Sequence, residues 1–189
     1  NGYSYGVDLN RNYTYRWGWD DSGSSPNPSS DTYRGPSAGS EPELQTMMQF
    51  YADRDDSGNP VIKAINFHTY SQLVLYPWGY KDGTTPHNYI YAPTAALFAS
   101  YNGYADMPSY GLYNTNGDAT DWQYGSHLDD GYGDQLLSQP LFGYTFEMGT
   151  QFIVPYSTAE AQFNENLQPM LDLCKLAGDP EMVCALPGP

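Results

Sequence analysis

Positive charge is scarce in this chain. Lys and Arg total 7 against 22 Asp and Glu, for a formal net charge of -15. Nucleic-acid binding rests on cations that neutralise phosphates, and anionic membrane surfaces select polybasic segments. Neither partner is expected. Long apolar runs are missing too: nothing approaches the roughly 20 residues a spanning helix needs, so no membrane association is expected. Cysteine is limited to Cys174 and Cys184, with no CxxC pattern and no nearby His, which argues against a cysteine metal site. Two readings of the pair stay open: a disulfide closing a short C-terminal loop in an oxidising compartment, or two separate thiols. An initiator Met and a signal segment are also lacking. The start Asn1-Gly2-Tyr3 reads as loop, so the chain is expected to be cut from something longer. No internal repeat is visible.

What is present is Tyr (19), Gly (19) and Pro (15) in 189 residues. That length suits one domain with a sizeable core. The composition points to a loop-rich, polar-aromatic protein. Few Lys beside many Tyr, Asn and Ser fit a secreted bacterial hydrolase.

Residues 1–40 read as an unusually long loop, and such loops are often functional. Ser40-Glu41-Pro42-Glu43 predicts a capping-box helix start, with Leu44, Met47, Met48 and Tyr51 at helical spacing and an end near Arg54. Val61–His68 predicts a strand buried on both faces, and Gln72–Tyr76 a second, short one. Asn88–Asn102 predicts a helix despite Pro93, and Asp118–Tyr124 another, short one. Leu141–Met148 predicts a strand with Phe142, Tyr144 and Phe146 on one face and Gly143, Thr145 and Glu147 on the other. Ser157-x-x-Glu160 predicts a capped helix with Phe163, Leu167, Met170, Leu171 and Cys174 on one stripe, Pro169 as a kink and Gly178 at its end. Alternation of strands and helices predicts an α/β fold: a mixed, partly parallel twisted sheet with helices on both faces.

Such sheets bind ligands beyond the carboxyl ends of their strands. His68 and Glu147 both stand at those ends. A ligand His needs its second ring nitrogen held, and taken alone His68 could equally be structural. Glu147 closes an apolar strand, where a carboxylate is costly unless paired or open to a cleft. It could serve as a general base beside a metal-bound water or be a solvated loop residue. Arg11, flanked by Asn10 and Asn12, suits a carboxylate, which a guanidinium fork binds bidentately; a loop-stabilising role is the alternative. Tyr113 precedes an Asn/Gly loop and could swing over a ligand.

Taken together, VDLNRNY (7–13), SEPE (40–43), FHTYSQLVLYPWGY (67–80), LYNTNGDATDW (112–122) and FEMGT (146–150) resemble the metallocarboxypeptidases of the pancreatic carboxypeptidase A/B type, in the same order. The likeness is nearest to the bacterial secreted carboxypeptidase T branch. It covers nearly the whole chain, about residues 6–177, so residues 1–178 resemble the C-terminal part of a catalytic domain of that fold. Residues 179–189 would form a disulfide-closed tail and the start of a linker. The resemblance implies a secreted, monomeric zinc exopeptidase acting on peptide or protein C-termini, with an upstream Arg steadying the oxyanion.

It also implies roles. His68 matches the third zinc ligand and Glu147 the catalytic glutamate. Asn10 and Arg11 match the pair that holds the terminal carboxylate, and Tyr113 the mobile tyrosine that closes over it. Thr69 and Tyr70 match substrate-contacting positions. Leu75, Gly79, Asp118 and Thr120 match the specificity pocket. Thr120 stands where strictly Lys/Arg-selective members carry Asp and apolar-selective members an aliphatic residue. Broad specificity is therefore expected, for apolar and aromatic termini, with Lys and Arg tolerated through Asp118.

The chain departs from the pattern in one respect. The family's other two zinc ligands form a His-x-x-Glu motif, expected upstream of Asn1. Of His68, His87 and His127, none is followed at the third position by Glu. One ligand cannot hold a zinc tightly, so these residues alone are expected to be inactive and marginally stable, with an unpaired sheet edge. Two alternatives remain: a non-catalytic peptide- or glycan-binding module derived from the fold, and a cell-wall peptide amidase.

Overall fold

The structure, a computed structural model, describes residues 6–132 and 134–179. Among these residues four strands form one sheet: β1 (Lys63–His68), β2 (Leu73–Tyr76), β3 (Ala105–Pro108) and β4 (Phe142–Glu147), in the order β1-β4-β2-β3. β4 runs parallel to β1 and antiparallel to β2, and β2 is parallel to β3. The sheet is mixed, as expected. Among the described residues four α-helices accompany it: α1 (Pro42–Asp56), α2 (Asn88–Asn102), α3 (Ala119–Gly125) and α4 (Tyr156–Leu176). A 3-10 turn, η1, spans Leu9–Arg11.

Alternation along β4 divides the molecule. Phe142, Tyr144 and Phe146 pack against α2, where Tyr91 lies 5.4 Å from Phe142 and 5.2 Å from Tyr144 between ring centres, and Phe98 lies 5.5 Å from Tyr144 and 5.8 Å from Phe146. Each fully buried ring of this kind contributes about 2–3 kcal/mol. Gly143, Thr145 and Glu147 face α3 instead. A Cβ on Gly143 would run into the Gln123 side chain, so only glycine lets α3 lie this close. Helices therefore cover both faces.

Several local expectations are corrected. α1 begins at Pro42 with Glu41 at its cap, and no side chain caps it. The Ser40 hydroxyl turns to Glu41 and Asn12, while buried Asn12 accepts from the Glu41 amide at 3.2 Å and donates to the carbonyls of Arg34 and Ser37. A long-range amide has replaced the local capping box. The end of α1 at Asp56 is close to the expected Arg54. α4 starts at Tyr156 behind Pro155, again without a side-chain cap, so the Ser157 capping box is not formed.

The expected α4 stripe does not face the sheet. Phe163, Leu167, Leu171 and Cys174 are exposed, and the buried positions are Asn166, Pro169, Asp172 and Leu176. Asn166 and Asp172 are buried because they bond Asn102 and Lys175. β1 is not buried on both faces: among the described residues it pairs only with β4, and most of its residues are half-exposed. β3 was not anticipated, because Ala105-Asp106-Met107-Pro108 has neither alternation nor β-branching. Cys184 lies outside the described residues, and the tail and disulfide expected there lie outside them with it.

Candidate active site

β1 and β4 are parallel and in register, so their last residues, His68 and Glu147, are direct partners across the strand pair. Adjacent strands lie about 4.8 Å apart, which sets an imidazole beside a carboxylate on the α3 face of the sheet. Both line one cleft, together with Asn10, Arg11, Leu75, Tyr113, Asp118 and Thr120. The sequence names eight of its residues. It misses Ser109, Leu112, Thr115 and Thr145. Thr145 had a signal, since it shares the Glu147 face of β4; the other three had none beyond nearness to Tyr113. Thr69 and Tyr70 line an adjoining cleft with Tyr113, Glu147 and Phe152, where the rings of Tyr70 and Phe152 meet edge to face at 4.7 Å. Gly79 stands behind the pocket wall. A Cβ there would collide with the Thr115 hydroxyl and come within 3.1 Å of an Asp118 oxygen.

Burial and the nearby Arg11 charge lower the His68 pKa, against smaller opposing contributions from Asp118 and Asp8. The ring is thus held neutral, the form that binds a metal. Burial pushes the Glu147 carboxyl up to about 7, because nothing compensates the loss of water around its charge.

The Asn-Arg pair reaches this cleft through η1. Asp8 caps the turn by accepting from the Asn10 amide at 3.0 Å. The Asn10 side-chain oxygen accepts from the Ala119 amide at 2.9 Å, so the turn is fastened to the start of α3 and the NH2 end of Asn10 is what it can offer a ligand. Arg11 is buried. One guanidinium nitrogen donates to the Asn10 carbonyl at 2.7 Å and lies 4.0 Å from Asp8, while Nε has no partner among the described residues. A buried guanidinium donor left unpaired at a cleft wall is suited to an incoming anion. Tyr113, half exposed, stands with its ring centre 5.9 Å from the Arg11 guanidinium.

Asp118 caps α3, accepting from the Asp121 amide at 2.9 Å through one oxygen and from the Thr115 hydroxyl at 2.8 Å through the other. Thr120 and Thr145 share a hydroxyl contact at 2.7 Å. Beneath them Asp121 is fully buried and accepts from the amides of Gly79 and Tyr80 at 2.9–3.0 Å. Burial first, and then the Asp118 charge, drive its pKa well above the ordinary carboxylate range. The pocket wall at Gly79 is therefore pinned from below.

The zinc implied by the resemblance needs three protein donors. Neutral His68 fits one of those positions. Among the described residues no group of three His, Cys, Asp or Glu could hold a metal ion. The donor set here is thus one ligand and one candidate base, which does not make a complete metal site.

Comparison with known proteins agrees with the geometry. The sequence profile of zinc carboxypeptidases matches residues 1–169. Human carboxypeptidase A1 is 35% identical over 147 residues, covering 74% of this chain and 33% of the relative. A metallocarboxypeptidase A-like protein of Trichophyton verrucosum is 36% identical over 126 residues, covering 62% of this chain and 29% of the relative. The chain thus spans about a third of the length of the curated relatives it matches. The carboxypeptidase A structure from Helicoverpa armigera superposes with a TM-score of 0.72 at 23% identity, over 91% of this chain and 42% of that one. Thrombin-activatable fibrinolysis inhibitor gives 0.73 at 22% identity, over 96% and 45%. The α/β sheet is therefore carboxypeptidase-like, and with the family profile running through the Asn-Arg turn and both strand ends, the chain belongs to the zinc carboxypeptidase family.

Proposed function

We propose that the complete protein is a zinc-dependent exopeptidase that releases single C-terminal residues from peptides. The observation that carries this reading is the buried Arg11 guanidinium, with its unpartnered Nε, in the same cleft as His68 and Glu147. A peptide end can place its carboxylate on Arg11 and Asn10 while its last peptide bond reaches the strand ends. Tyr113 then covers the carboxylate. Glu147 takes a proton from the attacking water at a carboxylate oxygen and returns it to the leaving amine. Zinc, when bound, supplies Lewis-acid polarisation and an acidified water. His68 is one ligand, and two more are expected upstream of Asn1.

The pocket supports broad specificity of the carboxypeptidase T kind. Thr120 and Thr145 make a neutral hydroxyl patch beside Leu75, which takes apolar and aromatic side chains. The Asp118 oxygens each accept one bond already, and a carboxylate can accept more, so Lys and Arg ends are tolerated. Secretion and a monomeric state accompany this reading. Among the described residues no helix is long and apolar enough to cross a membrane. These residues alone are proposed to be inactive and marginal, since the donors are too few and the outer edge of β1 lacks a strand partner among the described residues.

The test is zinc content and release of the last residue from a blocked dipeptide, on the gene product extended upstream. About one zinc per chain with release supports the reading. Metal-free protein that releases nothing contradicts it, and cleavage confined to muropeptides moves it to a cell-wall amidase.

A further inference from the structure

The residues that hold Tyr113 in place lie about ninety positions upstream of it, in a loop that the chemistry above does not use. Residues 113–116 belong to no helix or strand, and their side chains go to two different places. Tyr113 and Thr115 face the cleft. Asn114 and Asn116 face the other way, onto the loop around Asp20. One Asp20 oxygen accepts from the Asn114 side-chain amide at 2.9 Å. The other accepts from the Asn116 side-chain amide at 3.0 Å and from the backbone amides of Ser22 and Gly23 at 2.9 and 2.6 Å. Asn116 is fully buried, donates also to the Asp20 carbonyl at 3.2 Å, and accepts from the Ser24 hydroxyl at 2.5 Å. The loops touch so closely that a Cβ on Gly23 would strike the Asn116 amide and lie 2.8 Å from the Thr115 carbonyl carbon.

We propose that Asp20 is a positioning residue for the closing tyrosine: its carboxylate ties the 113–116 segment to the 20–24 loop and so sets where Tyr113 stands. This rests on the exopeptidase reading for its kinetic consequence, but not for its structural one. Bonds to an ionised acceptor are about twice as strong as neutral ones, and Asp20 receives two of them from this one segment. Burial works against its charge, yet the amide donors of Gly23, Asn114, Ser22 and Asn116 outweigh it and hold the carboxyl below the usual range. The far end of the segment is fixed separately, by the Thr115 amide on the Gly79 carbonyl at 3.0 Å and the Tyr13 amide on the Gly117 carbonyl at 2.9 Å. Without Asp20 the Tyr113 end is released and the Thr115–Gly79 bond is left to open more often.

The experiment compares wild type, Asp20→Ala, Asp20→Asn and Asn114→Ala in the zinc-loaded protein extended upstream. It measures steady-state kinetics on a blocked dipeptide and hydrogen exchange across residues 112–118. A group that only places a carboxylate-binding side chain changes uniform binding, which appears in KM. For Asp20→Ala, KM is expected to rise about tenfold with kcat within about twofold. The Thr115 amide, bonded to the Gly79 carbonyl, should exchange at least about tenfold faster while β4 stays protected. Asp20→Asn, which keeps one acceptor oxygen, is expected to fall between, and Asn114→Ala, which removes one arm, to raise KM about threefold. Unchanged KM and unchanged exchange in Asp20→Ala overturn the proposal, as does protection lost equally in β4. Should Asp20→Ala not fold, Asn114→Ala decides by the same criteria. If wild type releases no residue, the exopeptidase reading fails, and the exchange result alone decides whether Asp20 anchors the segment.

Discussion

The two faces of β4 are built from alternate residues of one strand, and they do opposite work. Phe142, Tyr144 and Phe146 meet the rings of α2 and contain no chemistry. Gly143, Thr145 and Glu147 meet α3, with hydroxyls, amides and a buried carboxylate. The first face supplies burial. The second accepts a desolvated acid whose pKa reaches about 7, an unfavourable arrangement that the first face offsets. Stability and reactivity are thus separated by one residue of register, and substitutions on the two faces should move different observables.

The largest effect is expected at Glu147. Glu147→Gln in the complete protein should lower kcat about a thousandfold or more without lowering the melting temperature, since it removes a desolvated charge; a loss of stability alongside the lost rate would merge the two faces. Next comes Phe98→Ala on the opposite side, which removes the ring shared by Tyr144 and Phe146. It should cost about 3–5 kcal/mol in denaturant unfolding and leave KM of the folded fraction intact. Arg11→Met should raise KM about a hundredfold, with a smaller change in kcat, because it removes binding common to ground and transition states.

The smallest effect concerns the charge that intrudes on the aromatic side. Lys63 is buried, its ammonium lies 5.2 Å from the Phe142 ring centre and 5.8 Å from that of Tyr144, and Nζ has no hydrogen-bond partner among the described residues. Burial depresses its pKa to about 8. Unfolded, this lysine keeps its proton to about 10.4. Between those values the unfolded chain binds more protons, so stability should rise with pH from about 8 towards 10 and carry the full penalty below 8. Lys63→Met should remove that slope and stabilise the protein at pH 7 by roughly 1–3 kcal/mol. A pH-independent unfolding midpoint in wild type between 8 and 9.5 would mean that Lys63 is not desolvated.

Strand β4 was legible residue by residue, because alternation of aromatic and small or hydroxylic side chains has one geometric solution. The strand-end positions of His68 and Glu147 followed from the same pattern, as did the helices bounded by Pro42, Asn88 and Asp118. The misses have a common physical origin. Local caps at Ser40 and Ser157 lost to longer-range partners or to none, since Asn12 already serves the start of α1. The α4 stripe read from Phe163, Leu167 and Leu171 is real, but among the described residues nothing covers it, and polar Asn166 and Asp172 take the buried positions through hydrogen bonds that no periodicity reveals. β3 is held by its pairing with β2 and not by its composition. Within the cleft, Thr115 is placed by its amide on the Gly79 carbonyl and Ser109 by its hydroxyl on the Tyr76 carbonyl, contacts that no local pattern announces.

The central claim is that Arg11 and the His68–Glu147 strand ends act on a single peptide terminus. It is tested most directly by incubating the zinc-loaded, upstream-extended protein with a peptide and with its C-terminal amide, and weighing the products. Loss of one residue from the free-acid peptide, with the amide left intact, is the expected result. Equal cleavage of both, or cuts at internal bonds, would contradict it.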